Sequence, residues 1–153
     1  MPFKTSFFDK INRIKQTINQ IEDLQIGAGF FADKNEKNED GVSVVDRAVR
    51  NNYGIGCPAR PFATVTKAEN ERKHARNSAK AIISGIIHTD AAIAVQGLDA
   101  EAKEYGAEMK KAIKDWTIPH NSPVTIEKKG FDDPLIETGQ MMEKTEGRVF
   151  KKK

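Results

Sequence analysis

The residues of this 153-residue chain that could do chemistry are few and widely spaced. His74, His88 and His120 show no metal-ligand spacing, so a metal site would need carboxylates from elsewhere in the chain. Cys57 precedes a proline and would be a nucleophile only if folding brought a histidine beside it. A small, half-buried thiol is the simpler interpretation. These residue types predict no catalytic residue, no metal site and no cofactor.

An adjacent pair of acids, Asp132 and Asp133, precedes Pro134 in a turn-like setting. Paired acids in a turn commonly face solvent, and adjacency alone does not make the acid–base pair of a glycosidase. The sequence also lacks the serine-hydrolase, phosphate-loop and zinc-protease motifs. We therefore expect a protein that is not an enzyme. A small hydrolase or metalloprotein is kept as a further hypothesis, and a metal assay on the native protein would test it.

Composition and charge are typical of a soluble protein from a reducing compartment. Charged residues make up 31% of the sequence, above the usual ~25%, while the net charge is only +3. The single cysteine excludes an intramolecular disulfide. The N-terminal sequence does not read as a signal peptide, and no stretch approaches the ~20 apolar residues of a membrane span. We expect no membrane association.

The one concentrated basic feature lies at the C-terminal end and comprises Arg148 and residues 151–153. A short basic tail can contact phosphates, which makes a nucleic-acid-binding module the alternative function. The simpler interpretation is a frayed terminus. Elsewhere lysines and glutamates are interspersed, so no basic stripe supports the alternative.

Apolar periodicity predicts an α+β fold, with about four helices packed on a small, mostly antiparallel sheet and with long interaction loops. A single domain is expected over residues 1–153, with an N-terminal helix (1–24), an extended loop region (117–142) and a C-terminal strand with the basic tail (143–153). Residues 32–41 are polar and predict an exposed loop. The other helices are expected over residues 42–51, from Thr64 or Thr66 to residue 88, and over 99–116, and the strands over 25–31 and 144–152.

The helices are expected to bury one apolar face each. The first, capped by Thr5 or Ser6, has a stripe that must pack on the domain or on another chain, namely Phe7, Ile11, Ile14, Ile18 and Ile21. The short second helix is expected to turn inward Val45, Ala48 and Val49. The expected buried face of the third is Ala68, Ala75, Ala79, Ile82 and Ile86. That of the fourth is Ala102, Tyr105, Met109, Ala112, Ile113 and Trp116.

Four glycines predict local features of the backbone, namely close packing, a bend or a helix end. Gly27 and Gly29 leave one face of the first strand nearly bare, so another group approaches closely there or the strand bends. Gly54 can take a positive φ and end the second helix. Gly106 lies inside the fourth helix at a cost of roughly 1 kcal/mol relative to alanine, which indicates tight packing.

Residues 58–62 form a stiff elbow in front of the third helix. Pro58 fixes its own φ, and Pro61 disfavours helical angles at Arg60. Arg60 is therefore held on an extended backbone, and Phe62 supplies an apolar anchor beside it.

Residues 128–139 are the second stretch that looks specified. It opens with Lys128 and Lys129, turns at a proline and ends at a glycine. Its turn carries a short apolar pair and two polar residues, so that the candidate contact residues here are Lys128, Lys129, Pro134, Leu135, Ile136, Glu137 and Thr138. Residues 117–134 contain three prolines and no helical stripe, and loops of that length are generally functional or disordered.

Taken in order, these two stretches resemble the signatures of the tail-completion (neck) proteins of tailed bacteriophages. The first signature is carried here by Asn51, Tyr53, Gly54, Pro58, Ala59, Arg60, Pro61, Phe62, Glu69 and Asn70. The second is carried by Ser122, Thr125, Ile126, Lys128, Lys129, Gly130, Pro134, Leu135, Ile136, Glu137, Thr138 and Gly139. The resemblance covers residues 20–150. Glu137 departs from the commoner aspartate, and Met141, Met142 and Thr145 replace the usual leucine and serine–isoleucine.

The resemblance implies a virion protein that is assembled in the host cytoplasm as a subunit of a ring, commonly a hexamer, at the head–tail junction. Its partners would be copies of itself, adjacent connector, tail-tube or sheath proteins, and the genomic DNA that passes through the lumen. Tail terminator, completion ring and head–tail joining protein all fit. The elbow and the 128–139 stretch would supply contacts between subunits. Arg60 would pair with a carboxylate on the next subunit, or within its own domain cap a helix end or pair with Glu69.

Overall fold

The computed structural model describes residues 3–31, 33, 37 and 41–152. Their fold mixes helix and sheet in one unit, with six helices and a two-stranded antiparallel sheet among the described residues. The expected number of about four helices is therefore not exact, because the sequence did not predict two short ones. The elements are α1 (Phe3–Ile21), β1 (Leu24–Gly29), α2 (Val44–Tyr53), α3 (Phe62–His88), α4 (Ala91–Lys114), α5 (Pro123–Lys129), α6 (Gln140–Lys144) and β2 (Glu146–Lys151).

The helical hairpin formed by α3 and α4 is the largest element pair. Thr89 takes a left-handed φ of 51°, and Asp90 caps α4 by accepting the Ala92 amide hydrogen. Gly97 lies inside α4, because its bare Cα allows close approach of Ala81 on α3. The expected start of the fourth helix at residue 99 is therefore wrong: Gly97 serves helix packing and does not break the helix.

The sheet pairs β1 with β2 in antiparallel register, from Leu24 opposite Lys151 to Gly29 opposite Glu146. The expected bare face of β1 is covered, since a Cβ at Gly27 would lie 2.8 Å from the Phe150 ring. The C-terminal strand is also confirmed, although α6 occupies residues 143 and 144 before it.

Strand β2 lies directly on the backbone of α4. A Cβ added to Gly147 would overlap the carbonyl group of Ala102, and one added to Gly106 would overlap the Gly147 amide. The close packing predicted from Gly106 is thus confirmed, and its partner is a second glycine. The two bare Cα positions let a strand and a helix touch main chain to main chain.

The hydrophobic core lies between α2, the first turn of α3, the last turns of α4 and the segment that precedes β2. The face predicted for α4 is confirmed by Ala102, Met109 and Ile113, each no more than 4% exposed. The buried core cluster consists of Val44, Ala48, Phe62, Met109, Ile113, Leu135 and Met141.

The buried faces of α2 and α1 differ from the predictions. On α2 the buried residues are Val44, Ala48 and Asn52, whereas Val49 is 41% exposed. On α1 the helix already runs through Thr5 and Ser6, so neither residue caps its start. In its stripe Ile21 is buried, Ile11 and Ile14 are half-buried, and Phe7 and Ile18 are exposed.

Helix α3 begins at Phe62, not at Thr64 or Thr66, because a side chain from another element caps it. The Oδ1 atom of Asn52 accepts hydrogen bonds from the amides of Ala63 and Thr64. Thr66 lies inside the helix and donates its hydroxyl hydrogen to the Phe62 carbonyl. Gly54 ends α2 with φ at 72°, as predicted.

The buried face of α3 is polar, so the predicted alanine stripe is wrong. Ala68, Ala75 and Ala79 are exposed, and Ile82 and Ile86 are half-buried. The buried residues are Phe62, Thr66, His74 and Gly85. Apolar periodicity cannot find such a face, because its central residue is a histidine paired across the hairpin.

The 117–142 region is not an extended loop throughout. Ser122 caps α5 by accepting the Thr125 amide hydrogen, Pro123 takes the first helical position and Gly130 closes the helix with φ at 81°. Helix α6 begins within the region's last residues. The seven residues of α5 are too few to show an apolar period. Its sequence signals are the capping residues Ser122 and Gly130 and the proline at its first position.

Residues 1, 2, 153 and most of the polar segment 32–41 lie outside the described residues. The predictions for the two chain ends and for that loop therefore stay predictions. None of the described helices has the length and apolarity that crossing a membrane requires.

Candidate contact site at the elbow

Arg60 fastens the elbow to the segment that follows α4. Its Nε donates to the Pro119 carbonyl at 3.1 Å and its Nη1 to Asn51 Oδ1 at 3.1 Å. Its Nη2 donates to the His120 carbonyl at 3.4 Å and to Asn121 Oδ1 at 3.3 Å. Arg60 is only 5% exposed. One guanidinium therefore joins the end of α2, the elbow and residues 119–121.

Within its own chain the Arg60 guanidinium neither pairs with Glu69 nor caps a helix end. Its four hydrogen bonds go to neutral oxygens of its own chain, and no described carboxylate lies within 4 Å of the guanidinium, Glu69 included. A side chain buried to this extent is not displayed to a neighbouring subunit. The proline elbow holds the arginine inward.

Asp132 holds the same segment from the other side. Its Oδ1 accepts the Asn121 amide hydrogen at 2.9 Å, and its Oδ2 lies 2.7 Å from Nδ1 of His120. The Asn121 backbone N–H contributes most to keeping the pKa of Asp132 below its ordinary value, with His120 assisting. Asp132 thus positions residues 119–121. Of the two acids predicted to face solvent, Asp132 therefore makes structural contacts.

The segments that Arg60 joins bear a group of exposed apolar side chains. Val124 is 75% exposed, Ile118 70% and Tyr53 69%, and these are the three most exposed large apolar residues in the described part of the chain. Ile55, at 56%, precedes the elbow. We call Tyr53, Ile55, Ile118 and Val124 the elbow surface.

A cleft of about 790 Å³ opens between α2, α5, the 134–139 turn and α6. We call it the α2–α6 cleft. Asn51 and Asn121 line it, so the amides that contact Arg60 on one side face the cleft on the other. Four cations and one carboxylate lie in its wall, namely Lys37, Arg47, Lys129, Lys144 and Glu137.

Lys129 is the predicted contact residue most closely built into the cleft. Its Nζ donates to the Asp133 carbonyl at 2.8 Å and lies 4.9 Å from the centre of the Phe131 ring. Burial is the main cause that lowers the pKa of Lys129 from its ordinary value, against the opposing effect of nearby carboxylates such as Glu137.

The other predicted contact residues divide between core and surface. Phe62 and Leu135, at 1% and 5% exposed, lie in the core, so they cannot form a contact surface in this fold. Pro134 is also buried. Pro61 and Ile136 are half-buried, and the exposed members of the set are Pro58, Lys128, Glu137 and Thr138.

A buried polar cluster on the hairpin escaped the sequence reasoning. His74 is 4% exposed, with Nδ1 at 2.6 Å from Glu101 and Nε2 at 2.7 Å from Glu108. Lys73 binds Glu108 and, at 2.8 Å, Glu104. The signal was available as helical spacing, since acids recur at i, i+3 and i+7 on one helix and face a Lys–His pair on the other.

The remaining chemistry-bearing residues take structural positions. Cys57 is half-buried, with Sγ 3.5 Å from the Arg50 carbonyl. Arg148 pairs in two hydrogen bonds with Asp33, and Lys151 belongs to β2. In the described part of the chain, no three His, Cys, Asp or Glu side chains are grouped to hold a metal ion.

Comparisons with known proteins return no counterpart: no protein-family model, curated protein sequence or solved structure matches this chain.

Proposed function

We propose that this chain is a structural subunit of a ring at the head–tail junction of a tailed bacteriophage, acting in tail completion or tail termination. It acts by docking to copies of itself and to adjacent connector, tail-tube or sheath proteins, around a lumen that carries the genomic DNA. No bond-making step is involved. The resemblance of residues 51–70 and 122–139 to the neck-protein signatures supports this function.

The observation that carries the proposal is the coupling of Arg60 to the elbow surface. Arg60 joins the end of α2, near Tyr53, to residues 119–121, which follow Ile118 and precede Val124, and Asp132 accepts the Asn121 amide hydrogen of the same segment. Exposed apolar groups gathered on one face are typical of protein–protein contacts. Segments that are already ordered lose less entropy when they dock, so a rigid surface binds better than a mobile one.

The fold also offers a second, different patch, as a ring requires. A head-to-tail ring interface joins two unlike surfaces on each subunit. The exposed half of α1 carries Phe7 and Phe8, which are 63% and 61% exposed and are separate in the chain from the elbow surface. Each subunit can therefore present the elbow surface to one neighbour and α1 to the other.

The proposal is tested by the assembly state of the purified chain and of a variant with Ile118→Ser and Val124→Ser. We expect the wild-type chain to form a closed oligomer in light scattering and native mass spectrometry, and the variant to be monomeric. The matched control is Ile87→Ser, because Ile87 is 66% exposed but lies about 37 Å along α3 from the elbow at 1.5 Å of helical rise per residue.

Two results would contradict the proposal. One is that the purified chain stays monomeric at every concentration and that its deletion leaves phage heads and tails joined. The other is a map of the assembled particle in which the elbow surface faces only solvent.

A further inference from the structure

We infer that the free edge of β1 is a docking site for a lone extended segment of an adjacent, different protein, which adds to the sheet as a third strand. The inference rests on the proposed function, since the assembly supplies the neighbour. It assigns a partner to a surface that includes neither the elbow surface nor the α2–α6 cleft.

The register of the sheet identifies the backbone groups of this edge. The amide of Lys152 donates to the Asp23 carbonyl, which makes these two residues a hydrogen-bonded pair. Hydrogen-bonded and non-hydrogen-bonded pairs alternate along an antiparallel ladder. The N–H and C=O groups of Leu24, Ile26 and Ala28 therefore point away from β2. In the described part of the chain no further strand pairs with β1. We call these three residues the β1 edge.

The β1 edge lacks the features that protect an edge strand from pairing. Natural edge strands commonly carry charged side chains or proline. The sequence of β1 is LQIGAG, without a charge or a proline, whereas β2 contains Arg148 and Lys151. The described residues of the polar segment after β1 are bonded elsewhere, since Asp33 pairs with Arg148 and Lys37 forms a bridge with Ser43. The β1 edge is therefore suited to accept a strand.

A groove of about 330 Å³ lies beside this edge, between β1 and α3. Ile26 and Ala28 line it from β1, and the exposed residues Lys67, Glu71 and Ala75 line it from α3. Ala75 belongs to the alanine stripe that was expected to be buried. The groove thus leaves uncovered an apolar position of α3 that the sequence predicted to be covered.

The geometry of the sheet explains why α3 is uncovered there. Both strands pack mainly on α4, with Gly147 of β2 against the Ala102 carbonyl. Neighbouring strands are about 4.8 Å apart, so a third strand beyond β1 would lie about 10 Å from β2. The axes of packed helices are about 8–10 Å apart. A third strand would therefore lie over α3, in the groove.

The hydrogen-bonding groups and the space beneath them select the occupant. The β1 edge offers donors and acceptors in alternation, which another extended backbone matches. A nucleic-acid backbone does not match them, because its phosphates only accept. A second copy could not pair through its own β1 or β2, because the α4 beneath those strands would enter the space that α3 fills. The occupant is therefore an extended segment without a helix beneath it.

The test uses the full chain labelled with nitrogen-15 and the peptide KTVTVTVTK, whose valines and threonines favour a strand. Amide hydrogen exchange is measured by NMR. Exchange at Leu24, Ile26 and Ala28 should slow at least about tenfold with bound peptide, because new hydrogen bonds protect these amides. Gln25 and Gly27 belong to hydrogen-bonded pairs with β2 and should change little, which makes them the internal control.

Two matched variants test the position of the third strand. Ala75→Arg places a long side chain in the groove and should weaken peptide binding at least about tenfold by steric exclusion. Ala107→Arg, at an exposed position of α4 outside the groove, should bind as the wild type does. Both variants should keep the wild-type circular dichroism and urea midpoint.

Three results would overturn the inference. The first is that the peptide does not bind at millimolar concentration, or binds no better than a peptide with proline in place of each valine. The second is that it binds without protecting the β1 edge. The third is that the two arginine variants lose the same affinity.

Failure of this inference and failure of the proposed function are distinguishable. The Ile118→Ser, Val124→Ser chain should still bind the peptide although it no longer assembles. Protection of the β1 edge in the wild-type oligomer without peptide would show that a second copy fills the site, which contradicts the inference and leaves the proposed ring in place.

Discussion

At the scale of single residues, buried polar side chains position this fold. His74 places each ring nitrogen beside a glutamate of the neighbouring helix, and Arg60 joins three segments through four hydrogen bonds. Both are no more than 5% exposed. Because such groups are costly when unpaired, each specifies one arrangement of the elements around it.

Replacing His74 with alanine should destabilise the protein by about 3 kcal/mol, because it removes the shared partner of two glutamates and leaves their charges facing each other across a largely buried gap. Urea denaturation would measure the change. Glu104→Gln is the control, since Glu104 is half-exposed and its pair with Lys73 should contribute under about 1 kcal/mol. Equal losses in the two variants would show that burial of the cluster has no energetic consequence.

The stability of the hairpin should fall in acid through Glu108. Burial raises the pKa of this carboxyl, but hydrogen bonds from Lys73 and His74 outweigh it and hold the pKa below the ordinary 4.5. A lowered folded-state pKa contributes stability that is present above 4.5 and is lost as pH falls through the folded-state value.

The measurement is the urea midpoint as a function of pH. Wild-type protein should lose stability below pH 4.5 more steeply than Glu108→Gln, which cannot titrate there. Glu127→Gln, exposed on α5, is the control. Parallel curves for wild type and Glu108→Gln would show that Glu108 does not cause the loss of stability in acid.

At the scale of elements, contacts between main chains decide the arrangement. Gly147 in β2 and Gly106 in α4 bring a strand and a helix together without side chains between them. Asn52, near the end of α2, caps α3 across the intervening elbow, which sets the angle between two helices by two hydrogen bonds.

Gly147→Ala should cost about 3 kcal/mol, since the new methyl group would overlap the Ala102 carbonyl and β2 must move away from α4. Gly106→Ala should also destabilise, although alanine gains about 1 kcal/mol in helix propensity. Ala107→Ser, at an exposed position of α4, is the control and should change stability by no more than about 0.5 kcal/mol. A neutral or stabilising Gly106→Ala would show that β2 can shift at little cost.

At the scale of the whole molecule, the distribution of apolar surface favours assembly. Tyr53, Ile118 and Val124 are more exposed than the other large apolar residues of the described chain, and Arg60 joins the segments near them. Phe7 and Phe8 are left uncovered on α1. A chain with this surface gains stability when neighbours cover it.

The melting temperature should therefore rise with protein concentration, because only the folded chain associates and association shifts the equilibrium towards the folded state. Differential scanning calorimetry over a hundredfold range of concentration would measure this rise. Ile118→Ser, Val124→Ser should abolish the dependence and Ile87→Ser should retain it. A melting temperature independent of concentration in the wild-type chain would count against assembly in solution.

The predictions that held depend on residues near one another in the chain. Gly54 ends α2 through its own φ, the α4 face repeats every three to four residues, and β2 has the pattern of a short strand. The start of α3 was misplaced because its cap, Asn52, lies ten residues upstream on another helix. The α3 face was misassigned because a histidine at its centre is buried by pairing and not by apolarity.

For the candidate site, the sequence by itself determined that residues 58–62 are stiff and that residues 128–139 turn, since proline and glycine restrict the backbone wherever they stand. Only the tertiary structure decided that Arg60 points inward and that Phe62 and Leu135 belong to the core. It also formed the α2–α6 cleft. These features need groups that are some sixty residues apart to meet, as Arg60 and His120 do, and local preferences do not specify which distant groups will meet.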